Sequence, residues 1–416
     1  MQYKRSQTKP DQMARELGVQ YLLEGSVRRD SKRIRITAQL VQVSDQTQLW
    51  ARQFDRELSS LLAVQAEIAQ AVANEIQLTL ADTGGTGAVP SGPLSSSEYE
   101  AYDLYLKGRY FWNRRTPEGF QQAVEHFEQA AAKDPTYARA YAGMADSYAL
   151  MSSYGVAPAT ELIPKARSAA LRALELDERL AEAHTSLALI SLNYDWDWGT
   201  AEKEYRRAIQ LDPNYATAHH WYAELLSLQG RFEEAFVEGG RARQLDPLSF
   251  IIATDYAVML YFARQYDRAI AQFRVVLAAE PNFGRAHMIE FAYVEKGMFR
   301  EALADNRDWR ALGKNPWSWG QEAYIQGRLG RRAEARRLLA IFEQANQHPE
   351  ANPAQMLAMA YAGMNDRDKA IACLQEACLR HSNVLTTIKV DPAYDRLRDD
   401  PRFQELLHRV GRAGQQ

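Results

Sequence analysis

Pro213, Pro247 and Pro281 stand 34 residues apart, and each closes a helix-like stretch, at Leu211-Asp212-Pro213, Leu245-Asp246-Pro247 and Ala279-Glu280-Pro281. Proline has no amide hydrogen and cannot continue a helix, so a proline at a fixed interval ends one helical unit and frees the chain to begin the next. With 416 residues the chain is too long for one compact core. The period says how the excess is handled: one small unit is repeated, and because such a unit cannot bury its apolar stripe alone, neighbours must stack.

Small residues recur in the same frame. The unit from Ala216 carries Ala223, Ala235 and Ala242; the unit from Phe250 carries Ala257 and Ala269, with Phe273 and then Val276 in the third place. From Ala181 come Ala188 and, after a one-residue insertion, Ala201, Tyr205 and Ala208. Ala123, Phe127, Ala130 and Pro135 form half a unit upstream, and Tyr141, Ala145 and Tyr148 open another that ends on Ala166, Ala170 and Ala173. The pattern returns at Leu357, Ala358, Tyr361, Ala370, Leu374 and Ala377. It is weaker from Gly284, where one residue is missing before Ala302, and weakest from Trp317 to Glu350, where Ala323, Ala335 and Leu339 match. This arrangement resembles the tetratricopeptide repeat (TPR), whose small residues let two helices cross closely. The resemblance implies a mainly α fold, a TPR α-solenoid of about eight helix-turn-helix repeats over residues 98–386. Residues 387–416 are expected to form the C-terminal capping segment and tail, with a terminal cap from Val390 to Val410 over the last apolar face.

Residues 83–97, which include Thr83-Gly84-Gly85-Thr86-Gly87 and then Pro90, Gly92 and Pro93, read as a flexible linker. Ahead of it, residues 1–82 read as a small α/β domain. Strands are expected at Gln20 to Arg28, Arg33 to Ser44 and Gln48 to Asp55, because Ile34, Ile36, Ala38 and Leu40 alternate with Arg33, Arg35, Thr37 and Gln39. Short polar turns at Asp30-Ser31 and Asp45-Gln46 make them an antiparallel meander. A helix is expected from Pro10 to Leu17 and a longer one from Ser59, with Leu61, Val64, Ile68, Val72 and Ile76 at helical spacing. The segment resembles the TolB-like domain that precedes TPR arrays in bacterial signalling proteins, on Ala14-Arg15-Glu16-Leu17-Gly18-Val19, Leu23-Glu24-Gly25-Ser26-Val27-Arg28, Leu49-Trp50-Ala51 and Asp55-Arg56. Leu397-Arg398-Asp399-Asp400-Pro401-Arg402-Phe403 and Tyr194-Asp195-Trp196-Asp197-Trp198 are similar to that family as well. Relatives place a further strand and helix, and often a winged-helix, Ser/Thr kinase or cyclase effector, ahead of the point where Met1 falls. The expectation is therefore a fragment, with the effector domain absent.

Several chemistries find no support. The glycines at Gly84, Gly85 and Gly87 lead into Pro90 rather than a helix, which does not suit a phosphate loop, and no nucleophile, base and orienting group can be placed together. No enzyme activity, cofactor or metal is expected. Asp195 and Asp197 could share a cation, but Asp197 is well placed to cap the helix carrying Ala201. His184, His219 and His287 occupy the same fourth position of their repeats, which points to packing. Cys373 and Cys378, five apart on a helix, face different ways and read as core residues rather than a disulfide. The arginine clusters at Arg28 to Arg35 and at Arg328, Arg331, Arg332, Arg336 and Arg337 read as solvated surface, and with a net charge of −3 no direct nucleic-acid binding is expected. Gly239-Gly240, inside a repeat helix, implies a close helix contact or a kink. The longest apolar run, Phe250 to Ala263, is interrupted by Thr254 and Asp255 and is short of the roughly 20 residues a bilayer needs.

The resemblance then implies a protein-protein interaction scaffold that takes a peptide or partner protein on the concave inner face. TPR phase assigns to that face Arg139 and Asp146 in the second repeat, Thr217, His220, Glu224 and Ser227 in the fourth, Thr254, Val258 and Tyr261 in the fifth, and Arg285 and Met288 in the sixth. The alternative is the sensory half of a transcription regulator or a kinase or cyclase system whose effector is missing or separately encoded. A cytoplasmic location is expected, or an extracytoplasmic one if the chain belongs to a membrane-anchored signalling protein.

Overall fold

The computed structural model describes residues 21–30, 33–42, 48–57, 96–313, 315–346, 353–380 and 382–412. The chain divides into two compact units, Met1–Lys107 with Glu128–Tyr137, and Gly108–Phe127 with Ala138–Gln416.

The first unit holds an antiparallel sheet in the order β1 (Tyr21–Asp30), β2 (Arg33–Gln42), β3 (Gln48–Glu57). Tyr21 stands opposite Gln42 and Asp30 opposite Arg33, and a register shift at Leu40/Val41 interrupts the β2–β3 ladder. The alternation read in the sequence is realised, since Ile34, Ile36 and Ala38 are buried while Arg33, Arg35 and Thr37 face water. Two cations of the first basic cluster are used within the sheet: Arg33 and Arg35 both donate to the Asp55 carboxylate, at 2.7 and 2.8 Å. A Cβ at Gly25 would sit 2.5 Å from the Thr37 carbonyl oxygen, so this strand pair closes only over glycine. The expected helices at Pro10 to Leu17 and from Ser59 lie outside the described residues, as does the linker up to residue 95.

Helices follow in pairs: α1 (Ser96–Trp112) with α2 (Pro117–Lys133), α3 (Ala138–Ser153) with α4 (Ala159–Leu176), α5 (Ala181–Ile190) with α6 (Trp198–Leu211), and α7 (Ala216–Gln229) with α8 (Phe232–Leu245). Then come α9 (Phe250–Phe262) with α10 (Tyr266–Ala279), α11 (Ile289–Glu295) with α12 (Phe299–Leu312), α13 (Trp317–Arg328) with α14 (Arg332–Ala345), and α15 (Ala354–Gly363) with α16 (Arg367–Leu379). Among the described residues that is eight pairs, including a regular pair where the sequence pattern is weakest. The fold is an α-solenoid with a small N-terminal sheet. Ala188, Ala201, Ala223, Ala235, Ala242, Ala257 and Ala269 are all fully buried at the crossings, where a larger side chain would force the helices apart.

The irregular repeats show how a solenoid absorbs an extra or missing residue. The insertion after Ala188 becomes a π-turn at Ser191–Asp195 that runs on from α5, followed by Trp196 in the left-handed region at φ 53°. The deletion before Ala302 is matched by a sixth repeat whose first helix opens as a 3-10 turn at Gly284–Met288. Asp197 caps α6 by accepting from the Thr200 amide at 3.0 Å, and Asp195 pairs with Arg167 at 2.8 Å. Gly239 and Gly240 continue α8 without a break; a Cβ on Gly239 would stand 3.0 Å from the Tyr256 ring, so close helix contact explains the first glycine, while Gly240 has open space. Cys373 and Cys378 are free thiols, the second buried. Burial pushes Cys373 up to about 11.

The chain end differs from a simple cap. The cap is α17 (Pro401–Arg412), whose Phe403, Leu406 and Val410 are buried. The stretch before it, with 3-10 turns at Asn383–Thr387 and Pro392–Leu397, instead forms a strap along the repeats. Lys389 Nζ donates to the Gln229 carbonyl at the end of α7 (2.9 Å), Arg264 beyond α9 donates to the Val390 carbonyl (2.5 Å) and to Asp395 (2.8 Å), and Arg396 donates to the Gly363 carbonyl of α15 (3.3 Å). Ile388, Val390, Tyr394 and Leu397 of the strap are buried. Among the described residues no helix is long and apolar enough to cross a membrane.

Candidate functional site

The inner row assigned from the sequence separates into two classes. Asp146, Thr217, His220, Ser227, Thr254, Val258 and Tyr261 are buried, whereas Arg139, Glu224, Arg285 and Met288 are reached by solvent. Tyr261 is enclosed because its hydroxyl donates to Asp391 of the strap at 3.0 Å. The Ser227 and Thr254 hydroxyls are buried with no hydrogen-bond partner.

A connected charge network ties part of this row together. His220 Nε2 and Asp255 Oδ2 are 2.8 Å apart, Arg285 Nε donates to Asp255 Oδ1, and Arg285 Nη2 lies 3.6 Å from Glu224 Oε1. Burial opposes ionisation of Asp255, yet the charge of Arg285 and the hydrogen bond from His220 hold its carboxyl down at about 2. Burial pushes the Glu224 carboxyl up, and the neighbouring Asp255 charge adds to the effect. In the second repeat, Asp146 accepts from Ser186 Oγ at 2.6 Å and lies 3.5 Å from Arg109; its burial outweighs both and raises the carboxyl to about 6. Arg139 pairs with Glu182 at 3.3 Å.

Exposure shows which of these groups another molecule could touch. Tyr154 is 38% exposed, and the side chains of Arg139, Glu224 and Arg285 are 46%, 30% and 39% exposed. Burial nonetheless raises the Tyr154 hydroxyl as it raises Glu224. Tyr154, at the end of α3, was not part of the sequence assignment, because it lies beyond the repeat positions that define the inner row.

Among the described residues, two side-chain sets have the composition of a cation site, His220 with Glu224 and Asp255, and His287 with Glu290 and Asp305. Most of their ligand atoms are already engaged, although Glu290 Oε1 is buried with no hydrogen-bond partner. The Arg285 guanidinium occupies the first set as its cation. In the second, His287 Nδ1 meets Asp305 at 2.8 Å and Nε2 meets the Pro281 carbonyl at 3.1 Å, which leaves no ring nitrogen for a metal. Trp309 stacks on that ring at 4.4 Å, and burial together with the Asp305 charge pushes Glu290 well above the usual carboxylate range.

A family model described as tetratricopeptide repeat matches residues 204–236, which run from α6 through α7 into α8. Among curated proteins it is similar to a protein of Rhizobium meliloti (strain 1021) with the provisional name adenylate cyclase 3, at 30% identity over 232 residues, 54% of this chain and 32% of that one. It is also similar to transcriptional regulator HilA of Salmonella typhimurium, at 26% identity over 167 residues, 40% of this chain and 30% of that one. The chain thus spans about a third of the length of the curated relatives it matches. Among solved structures, yeast Tom70 matches 74% of this chain and 67% of its own length with a TM-score of 0.43 and 18% identity.

Proposed function

We propose that the chain is a protein-interaction scaffold that takes an extended peptide or a partner helix on the solvent-reached part of the inner face, at Arg139, Tyr154, Glu224, Arg285 and Met288. The observation that carries this is the combination of exposure and desolvation at Tyr154 and Glu224. Partial desolvation strengthens charged contacts relative to a fully hydrated surface. Both signs of charge line it, which favours a partner with interspersed acidic and basic groups. The buried members of the row, Asp146, Thr217, His220, Ser227, Thr254, Val258 and Tyr261, shape the wall behind the contact residues. A photo-crosslinking amino acid placed at Tyr154 is expected to capture a partner in cells, whereas the same group at Val237, 70% exposed on α8, is expected to capture none. Equal capture from both positions rejects the inner face as the binding surface.

A second reading draws on the names of the two curated relatives: the repeats serve as the partner-binding half of a signalling or transcription regulator. It keeps residues 1–82 as a TolB-like domain, residues 83–97 as linker and residues 98–386 as the repeat array. Affinity purification from the native organism should then bring down cyclase activity, kinase activity or a winged-helix protein in stoichiometric amount; recovery of none of these counts against it.

A further inference from the structure

Arg332 and Arg336 of the second arginine cluster are exposed, as read from the sequence, and have further arginines beside them. Arg332, Arg367 and Arg402 recur at intervals of 35 residues and open the helices α14, α16 and α17. Successive repeats therefore carry the same cation at the same edge, and these residues, with Arg336 one turn into α14, line a cleft of about 350 Å³ together with Asp366, Asp368 and Asp400. That volume is at the small end of the range for small-molecule pockets.

Not all of this charge is consumed internally. Arg402 donates to Asp400 and Asp368, each at 2.8 Å, and Arg367 donates to Asp399 at 2.5 Å. Arg332 and Arg336 have no side-chain hydrogen bond or ion pair among the described residues, while Arg367 Nε is buried with no acceptor, Asp400 Oδ2 standing 4.0 Å away. Hydrogen bonds from Arg402, together with the Arg367 charge, hold the largely buried Asp400 carboxyl at about 2, consistent with a positive local field. The N-termini of three helices of 14, 13 and 12 residues border the same cleft and add to that field.

We propose that this cleft binds a phosphomonoester group. A carboxylate offers two oxygens and is satisfied by one guanidinium fork. A phosphoryl group offers three terminal oxygens and a double charge, matching the unengaged guanidinium forks of Arg332 and Arg336, with the Arg367 charge behind them. Small phosphomonoesters and phosphorylated side chains share this chemistry, and the volume admits a phosphoryl group with a short substituent.

Isothermal titration with inorganic phosphate and with O-phosphoserine, at chloride-matched ionic strength, tests the site on the full chain. Saturable 1:1 binding is expected, weakened at least tenfold by Arg336→Gln and by Arg332→Gln. Arg337→Gln serves as the control, because Arg337 pairs with Glu334 on the same helix and does not line the cleft. Tighter binding of O-phosphoserine than of inorganic phosphate would identify a phosphorylated side chain or small ester as the natural source. The proposal is overturned by an absence of saturable binding, by an Arg337→Gln effect equal to that of Arg336→Gln, or by succinate competing as well as phosphate. All variants change exposed side chains, and a matching thermal melt separates lost binding from lost fold.

Discussion

At the scale of single residues, the histidines show what periodicity reveals and what it hides. His184, His219 and His287 recur in phase, and each bridges a backbone carbonyl six residues back and an acid on the second helix of its repeat: Glu204, Glu238 and Asp305. The separations to those acids are 20, 19 and 18 residues, long where the repeat has an insertion and short where it has a deletion, so the contact is conserved in space rather than in spacing. The hydrogen bond from His184 holds Glu204 below the usual carboxylate range despite its burial. Asp391 behaves in the opposite way. Burial raises its carboxyl to about 6 from an ordinary 3.8, against the pull of hydrogen bonds from the Ala393 amide and Tyr261. A raised folded-state pKa means that the fold holds this proton more tightly than the unfolded chain does. The contribution is therefore fully favourable below about pH 4 and is lost as pH rises through about 6. Asp391→Asn keeps an oxygen to accept from Tyr261 and Ala393. It should raise stability at pH 7 by at most about 3 kcal/mol and flatten the decline between pH 4 and 6 in urea melts, with Asp146, also raised to about 6, accounting for the remaining slope. An unchanged slope would show that the Asp391 carboxyl titrates as an ordinary acid.

At the scale of elements, the helix pairs were legible because alanine at a crossing is a strict steric requirement that survives where other positions drift. Only Ala323, Ala335 and Leu339 mark the seventh repeat, yet α13 and α14 pair like the others. The π-turn and the split sixth repeat were visible only as a residue gained and a residue lost; which backbone form absorbs each depends on neighbours that sequence does not specify. The strap was not legible. Val390, Tyr394 and Leu397 look like the apolar face of a cap, and nothing in their spacing says that they lie along distant helices. For the same reason Tyr261 was grouped with the accessible row, since its partner Asp391 is 130 residues away. The two glycines of α8 separate a packing requirement from a mere cost in helix propensity. Gly240→Ala should stabilise the chain by about 1 kcal/mol, because alanine is the better helix former and the position is open. Gly239→Val should lower the melting temperature by driving a side chain into Tyr256, and a stabilising Gly239→Val would remove close contact as the reason for that glycine.

At the scale of the whole molecule, a stack of hairpins normally communicates only between nearest neighbours, so its end can fray one repeat at a time. The bonds from Lys389 to Gln229, from Arg264 to Val390 and from Arg396 to Gly363 change that order of events. Peeling away the eighth repeat pulls on a segment anchored at the fourth and fifth, so the last hairpin cannot melt without disturbing the middle of the array. Closing such a long loop in sequence costs entropy during folding, but that cost grows only slowly with length. The result is a register lock: adding or removing one repeat between α9 and α15 would leave the strap the wrong length for its anchors, which makes the number of hairpins in this half of the molecule a fixed quantity rather than an adjustable one.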